Sequence, residues 1–166
     1  MDATVHQTCI EMLQQRGYDI TKDDDIILGK HKTNEIVIFY NNSIKFNVER
    51  VQEYISLMND LSIKHAIVVY KDCVTPIAKK IIDELQGLTI ELFEEKNLRY
   101  NITKHRLVPK HTALSKPDAV SFRQKYGIKI PVLLSTDPIC KFYNFQRGDI
   151  IRIDRTDDYV SFRIVK

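Results

Sequence analysis

The sequence predicts a mixed fold, α/β plus α+β: an N-terminal three-layer α/β module over residues 1–95 and a small C-terminal α+β module over residues 100–166. Three observations predict it. Through residue 95, short β-favouring runs alternate with helix-periodic segments, the pattern of a largely parallel sheet with helices on its faces. After residue 100 the pattern becomes an extended segment, two helices and a terminal hairpin. Charge also changes sign at the same place. Residues 1–99 hold 12 Lys+Arg against 16 Asp+Glu, net −4, and residues 100–166 hold 13 against 6, net +7. A length of 166 residues is about one average domain or two small ones.

The elements follow in order. Val5, Cys9, Met12 and Leu13 recur at helical spacing, so a helix runs from Ala3 to Arg16, with Asp2 as N-cap and Gly17 as stop. Ile26–Leu28 and Ile36–Tyr40 form a hairpin around the polar turn Lys30–Asn34. Asn47 caps a second helix whose face carries Val48, Val51, Ile55, Met58 and Leu61. His65–Tyr70 is nearly continuously apolar, which suits a central strand buried on both faces. Thr75-Pro76 opens a third helix, with Thr as cap and Pro at the first helical position. Its expected core face is Ile77, Ala78, Ile81, Ile82 and Leu85, and Gly87 ends it before a strand at Leu88–Phe93. In the second module Val108–His111 is extended, because Pro109 biases Val108 away from helix. Ser115 caps a helix ending at Tyr126-Gly127, and Thr136 or Asp137 caps a short one beginning at Pro138. Arg147-Gly148-Asp149 is a turn, and Ile150–Ile153 pairs with Tyr159–Ile164 around Thr156-Asp157-Asp158. A module of this size is small for a self-sufficient core and is expected to lean on a partner.

Composition removes several classes of function. Hydrophobic residues make up 43% and charged residues 28%, so a disordered chain is excluded. No apolar run approaches the roughly 18 residues of a membrane span, and the first residues lack the basic and apolar regions of a signal peptide. Cys9, Cys73 and Cys140 are odd in number and far apart, which excludes a disulfide scaffold and suggests a reducing compartment.

Catalytic and metal-binding patterns are weak. His105 and His111 have no neighbouring Cys or His to complete a zinc site, and Asp23-Asp24-Asp25 lacks calcium-loop spacing and reads as a solvated turn. Asp72 with Glu94-Glu95-Lys96 loosely echoes the carboxylates and lysine of a metal-dependent nuclease, and this is the enzyme alternative. No nucleophile elbow, Walker loop or dinucleotide fingerprint is present. Neither a catalytic residue nor a metal ligand nor a cofactor is therefore expected. The start of the third helix is a candidate phosphate contact, because a helix N-terminus offers amide donors and the positive end of a dipole, with Lys79 and Lys80 one turn on. A standalone DNA-binding adaptor is the binding-module alternative.

Longer stretches carry a resemblance. Asn101-Ile102-Thr103-Lys104-His105-Arg106-Leu107-Val108-Pro109-Lys110-His111 closely resembles a segment of the fifth common subunit of eukaryotic nuclear RNA polymerases, whose archaeal counterpart resembles only the C-terminal module. Leu134–Tyr143, Phe145–Ile153 with its Arg147-Gly148-Asp149, and the closing Tyr159–Arg163 are similar to further segments of that family. In the first half, Glu11–Leu13, Arg16-Gly17-Tyr18, Ala66–Val69 and Thr75–Lys79 also fit. The resemblance covers essentially the whole chain.

The resemblance implies a non-catalytic subunit of a multisubunit DNA-directed RNA polymerase, built from a jaw module beside downstream duplex DNA and an assembly module docking on the largest subunit. It implies DNA-proximal positions at Thr75 and Pro76, followed by Lys79 and Lys80. The assembly interface is expected at Leu107, Val108, Pro109, Lys110 and His111 and at Arg147, Gly148 and Asp149. Its partners are the other polymerase subunits and, weakly and without sequence preference, DNA; no membrane is involved. Two departures stand out: only Asp19–Asp25 separates the Arg-Gly-Tyr helix end from the sheet, and the final hairpin loop is trimmed. The trimmed loops tilt the reading slightly toward a polymerase encoded by a large DNA virus, acting in a virion or cytoplasmic viral factory. A cellular copy would act in the nucleus.

Overall fold

A computed structural model of the protein describes residues 2–23, 26–127, 129–155 and 159–166. It divides into two compact units, Met1–Tyr100 and Asn101–Lys166. The polar stretch after residue 94 belongs to the first unit. There a short 3-10 helix, Glu95–Leu98, buries Leu98 and Glu95.

The first unit runs α1 (Ala3–Gln15), β1 (Asp19–Asp23), β2 (Ile27–His31), β3 (Asn34–Asn41), β4 (Lys45–Phe46), α2 (Val48–Asp60), β5 (His65–Tyr70), β6 (Cys73–Val74), α3 (Pro76–Asp83) and β7 (Thr89–Glu94). Its main sheet has the order β1-β2-β3-β5-β7. The first three strands form an antiparallel meander, and β3, β5 and β7 are parallel. Parallel register aligns Val37 with Ala66 and Phe39 with Val68. These residues and Ile90 pack on Val51, Tyr54 and Met58 of α2 and on Ala78 and Ile82 of α3. On the opposite face α1 lies so close that a Cβ at Gly29 would meet Ile36 and Tyr18 at 3.1 Å and Leu13 at 3.2 Å. The unit therefore has three layers. Each fully buried Ile, Val or Met contributes roughly 1.5–3 kcal/mol relative to exposure.

Local signals set the helix ends. Asp2, Asn47 and Thr75 each accept a backbone N–H from their helix's first turn. Several readings of the sequence need correction. Asp19–Asp23 is a strand rather than a plain connection, and β4 and β6 form a separate two-stranded parallel pair. Ile77 is 66% exposed rather than part of the core. At about 100° per residue it lies about 90° from the centre of the stripe formed by Ala78, Ile81, Ile82 and Leu85. Leu61, at the end of α2, is also partly exposed, and Tyr54 takes a core position in that helix.

The second unit contains a 3-10 turn Ile102–Lys104, then β8 (Lys110–Ala113), α4 (Lys116–Tyr126), β9 (Val132–Leu133), α5 (Pro138–Tyr143), β10 (Ile150–Asp154) and β11 (Val160–Val165). Its sheet has the order β8-β10-β11-β9. Ser115 caps α4 and Asp137 caps α5. Ile151, Ile153, Val165 and Leu133 form a small core with Cys140 of α5. The expected turn at Thr156-Asp157-Asp158, and Asp24 and Asp25 of the acidic run, lie outside the described residues.

Candidate functional site

In the first unit the candidate nucleic-acid contact is the start of α3. Thr75 is extended at φ −67° and ψ 144°, and its hydroxyl oxygen accepts the Ala78 N–H. The Thr75 N–H donates to the Phe46 carbonyl at 3.0 Å, tying this corner to β4, and the Lys79 N–H donates to the Thr75 carbonyl at 3.0 Å. Pro76 has no N–H, so the amide left at the helix start is that of Ile77. One amide and the Thr75 hydroxyl proton offer less to a phosphate than an uncapped helix end would. The cations also differ. Lys80 lies 3.8 Å from Glu84 on the same helix, whereas Lys79 is exposed and forms no ion pair with a described residue. The corner thus joins Thr75, Pro76, an exposed Ile77 and Lys79 in one small surface, with Lys80 partly neutralised.

The carboxylates of the nuclease alternative are engaged elsewhere. The Tyr40 hydroxyl donates to Glu95, whose side chain is buried, and Glu94 pairs with Lys96 at 2.5 Å. Tyr40 is held well above the usual phenol range, first by burial and then by the Glu95 carboxylate. Asp72 is exposed. Among the described residues no group of three or more His, Cys, Asp or Glu is placed to hold a metal ion. Burial pushes the Cys9 thiol up to about 12 and the Cys140 thiol up to about 11, so neither is a thiolate nucleophile at neutral pH.

In the second unit the two candidate assembly segments lie apart. Leu107 is 75% exposed, and its N–H donates to Nδ1 of His105 at 3.2 Å. His111 is half-buried on β8, with Nδ1 2.7 Å from the Pro109 carbonyl. Burial holds the His111 imidazole below its ordinary value; Arg155 and Arg163 push the same way, while the Pro109 carbonyl and Asp137 oppose them. Burial thus favours the neutral form of this imidazole. At the other segment Gly148 has φ 91°, a left-handed conformation that favours glycine. The turn is closed by the Gln146 N–H on the Asp149 carboxylate at 2.7 Å, by the Gly148 N–H on the Val165 carbonyl and by the Val165 N–H on the Asp149 carbonyl. The Arg123 guanidinium donates to the Gly148 carbonyl at 2.7 Å, and Arg147 is exposed. Antiparallel register sets Lys110 opposite Asp154, while the Leu114 N–H reaches the Ile150 carbonyl. The two segments thus sit at opposite ends of β10, about 14 Å apart at the antiparallel rise.

Sequence reasoning missed a charged network in the first unit. Arg16, at the end of α1, donates both guanidinium nitrogens to Glu91 of β7 at 2.7 and 2.8 Å. His65 of β5 places Nε2 2.6 Å from the same carboxylate. Burial pushes the Glu91 carboxyl up, but the hydrogen bonds and charges of His65 and Arg16 outweigh it, and the carboxyl rests below its ordinary value. Beside His65 a cavity of about 460 Å³ opens at the N-terminal ends of β3, β5 and β7, lined by Tyr18, Asn34, Ser62, Lys64 and Thr89 among others. Register puts Ile67 beside Glu91, and that pairing was the signal available once β5 and β7 were adjacent.

Comparison with known proteins gives the family. The family described as RNA polymerase Rpb5, C-terminal domain, matches residues 100–165. A protein of Dictyostelium discoideum named DNA-directed RNA polymerases I, II, and III subunit rpabc1 is 31% identical over 186 residues, covering 96% of this chain and 94% of its own. One of Invertebrate iridescent virus 6, named putative DNA-directed RNA polymerase subunit 454R, is 33% identical over 97% of each chain. One of Arabidopsis thaliana, named DNA-directed RNA polymerase subunit 5-like protein 1, is 28% identical over 96% of this chain and 92% of its own. With matches that run the length of both units, and cellular and viral relatives alike, the chain belongs to the Rpb5 family of RNA polymerase subunits.

Proposed function

We infer that the protein is a non-catalytic subunit of a multisubunit DNA-directed RNA polymerase, with the second unit docking on the largest subunit and the first lying beside downstream DNA. The observation that carries this reading is the full-length similarity to proteins named as polymerase subunits. The lack of catalytic activity in this chain is supported by its chemistry: Glu94 and Glu95 are committed to Lys96 and Tyr40, and polymerase chemistry needs clustered carboxylates holding Mg²⁺. Docking is supported by the net +7 of residues 100–166 and by the exposed Leu107 and Arg147. The DNA contact is supported by the Thr75–Lys79 corner and is weak and sequence-independent, because residues 1–99 carry net −4. The protein acts where its polymerase acts.

Site-specific crosslinking in the assembled polymerase tests the arrangement. A photo-crosslinker at position 107 or 147 should capture the largest subunit, and one at position 76 should capture downstream DNA. Capture of DNA from position 147, with none from position 76, would reverse the roles of the two units.

A further inference from the structure

One wall of the cavity beside His65 rests on charged side chains. Nε2 of His65 lies 2.6 Å from Glu91, and both guanidinium nitrogens of Arg16 hold the same carboxylate. The Glu91 carboxyl rests below its ordinary value. An ionised carboxylate only accepts, so Nε2 carries the proton and Glu91 fixes the ring. Nδ1 is then the open hydrogen-bonding atom of the imidazole, with no partner among the described residues. The His65 side chain is 21% exposed. Register sets Thr89 beside it on the same face of the sheet. A buried ion pair adds little net stability over an apolar replacement, so holding His65 in place is a further role for Arg16 and Glu91.

The rest of the lining is polar and largely unused by the protein. Tyr18, Thr33, Ser62 and Thr89 line the cavity, and their hydroxyls make no hydrogen bond among the described residues. Ser62 follows α2 at φ 57°, a left-handed position where glycine is the ordinary choice, and there it brings a hydroxyl to the rim. Charge then selects the ligand. Glu35 is paired with Lys30 at 2.9 Å and Glu91 with Arg16 at 2.7 Å. Lys64 lines the cavity and forms no ion pair among the described residues, so the uncompensated charge is positive. The volume of about 460 Å³ is that of a small-molecule site and exceeds what a bare oxyanion fills. We propose that this cavity binds a phosphate monoester of a small polyol, a sugar phosphate. Lys64 and Nδ1 of His65 take the phosphate, the ring meeting a protonated oxygen or, as the imidazolium, donating to an ionised one. The hydroxyls of Ser62 and Thr89 take the sugar. The inference does not depend on the polymerase-subunit reading.

Amide chemical shifts of the isotope-labelled full chain, titrated with ribose 5-phosphate, test it. Saturable shifts should appear at residues 33–35, 62–65 and 87–89, with a Kd of about 1 mM or tighter. Ribose and inorganic phosphate, titrated separately, should each bind at least tenfold more weakly. Lys64→Ala, at an exposed position, should lower the affinity for ribose 5-phosphate at least tenfold while the shifts of the β3, β5 and β7 amides stay those of the parent. The double variant Arg16→Met, Glu91→Leu should also weaken binding, because His65 loses its carboxylate. Absence of saturable shifts overturns the proposal, as does unchanged affinity in Lys64→Ala. Ribose binding as tightly as its phosphate overturns the anion site, and inorganic phosphate binding as tightly overturns the sugar site. None of these results touches the subunit reading, which stands or falls on retention by the polymerase.

Discussion

Arg16 and Glu91, 75 residues apart, form a bidentate ion pair at 2.7 and 2.8 Å that fastens the end of α1 to the edge strand β7. The Arg16 side chain is 4% exposed and that of Glu91 13%. Removing one member breaks a bidentate pair held in a dry setting, where the cost is largest. Glu91→Ala should therefore destabilise the protein by about 3–5 kcal/mol, read as a lower denaturant midpoint. The double variant Arg16→Met, Glu91→Leu should recover most of that loss. A loss under 1 kcal/mol in Glu91→Ala would show that the pair is immaterial to the fold.

The same pair fixes a response to acid. The Glu91 carboxyl is lower in the folded protein than in the unfolded chain. Its contribution is thus fully present above the unfolded value, about 4.3, and is lost as pH falls through the depressed folded value. Urea midpoints measured from pH 7 to pH 3 should fall below about pH 4.5, and the fall should be shallower in Glu91→Gln. Parallel curves for the two proteins would contradict the assignment.

Gly148 provides a backbone test. A Cβ there would meet nothing within 4 Å, so the whole cost of Gly148→Ala comes from its φ of 91°. That cost should be about 1–2 kcal/mol and should be read in thermal unfolding of the full chain. Gly29→Ala fails for a different reason, since its Cβ would press on Ile36, Tyr18 and Leu13. Equal stability of Gly148→Ala and the parent would mean that the turn relaxes freely.

The two lysines of α3 should separate in DNA binding by the assembled polymerase. Lys80 is partly neutralised by Glu84, and Lys79 is not. Lys79→Ala should lower the salt slope of downstream-DNA binding by about one unit, and Lys80→Ala by less. Equal slopes for both variants and the parent would remove this corner from the DNA contact.

How much the sequence revealed depended on how local each cause was. Asn47, Thr75, Ser115 and Asp137 were legible as caps because a capping side chain bonds amides two or three residues away. β5 was legible because it is buried on both faces. β1 was not: Asp-Ile-Thr-Lys-Asp has one apolar residue, and pairing with β2 makes it a strand. Ile77 misled because its neighbours Ala78 and Ile81 own the stripe. The assembly segments were legible through resemblance, but their placement at opposite ends of β10 follows from antiparallel register, which no local pattern encodes. The Arg16–Glu91–His65 network needed three distant elements in place first.

The central claim is membership in a working polymerase, and the direct measurement is affinity purification of the intact, tagged chain from the cells or infected cells that make it. The account predicts that the largest subunit and other subunits of a DNA-directed RNA polymerase come down with it, with transcription activity in the eluate. Recovery of the chain without polymerase subunits would contradict the account, as would Mg²⁺-dependent DNA cleavage by the purified chain that Asp72→Ala and Glu94→Ala abolish.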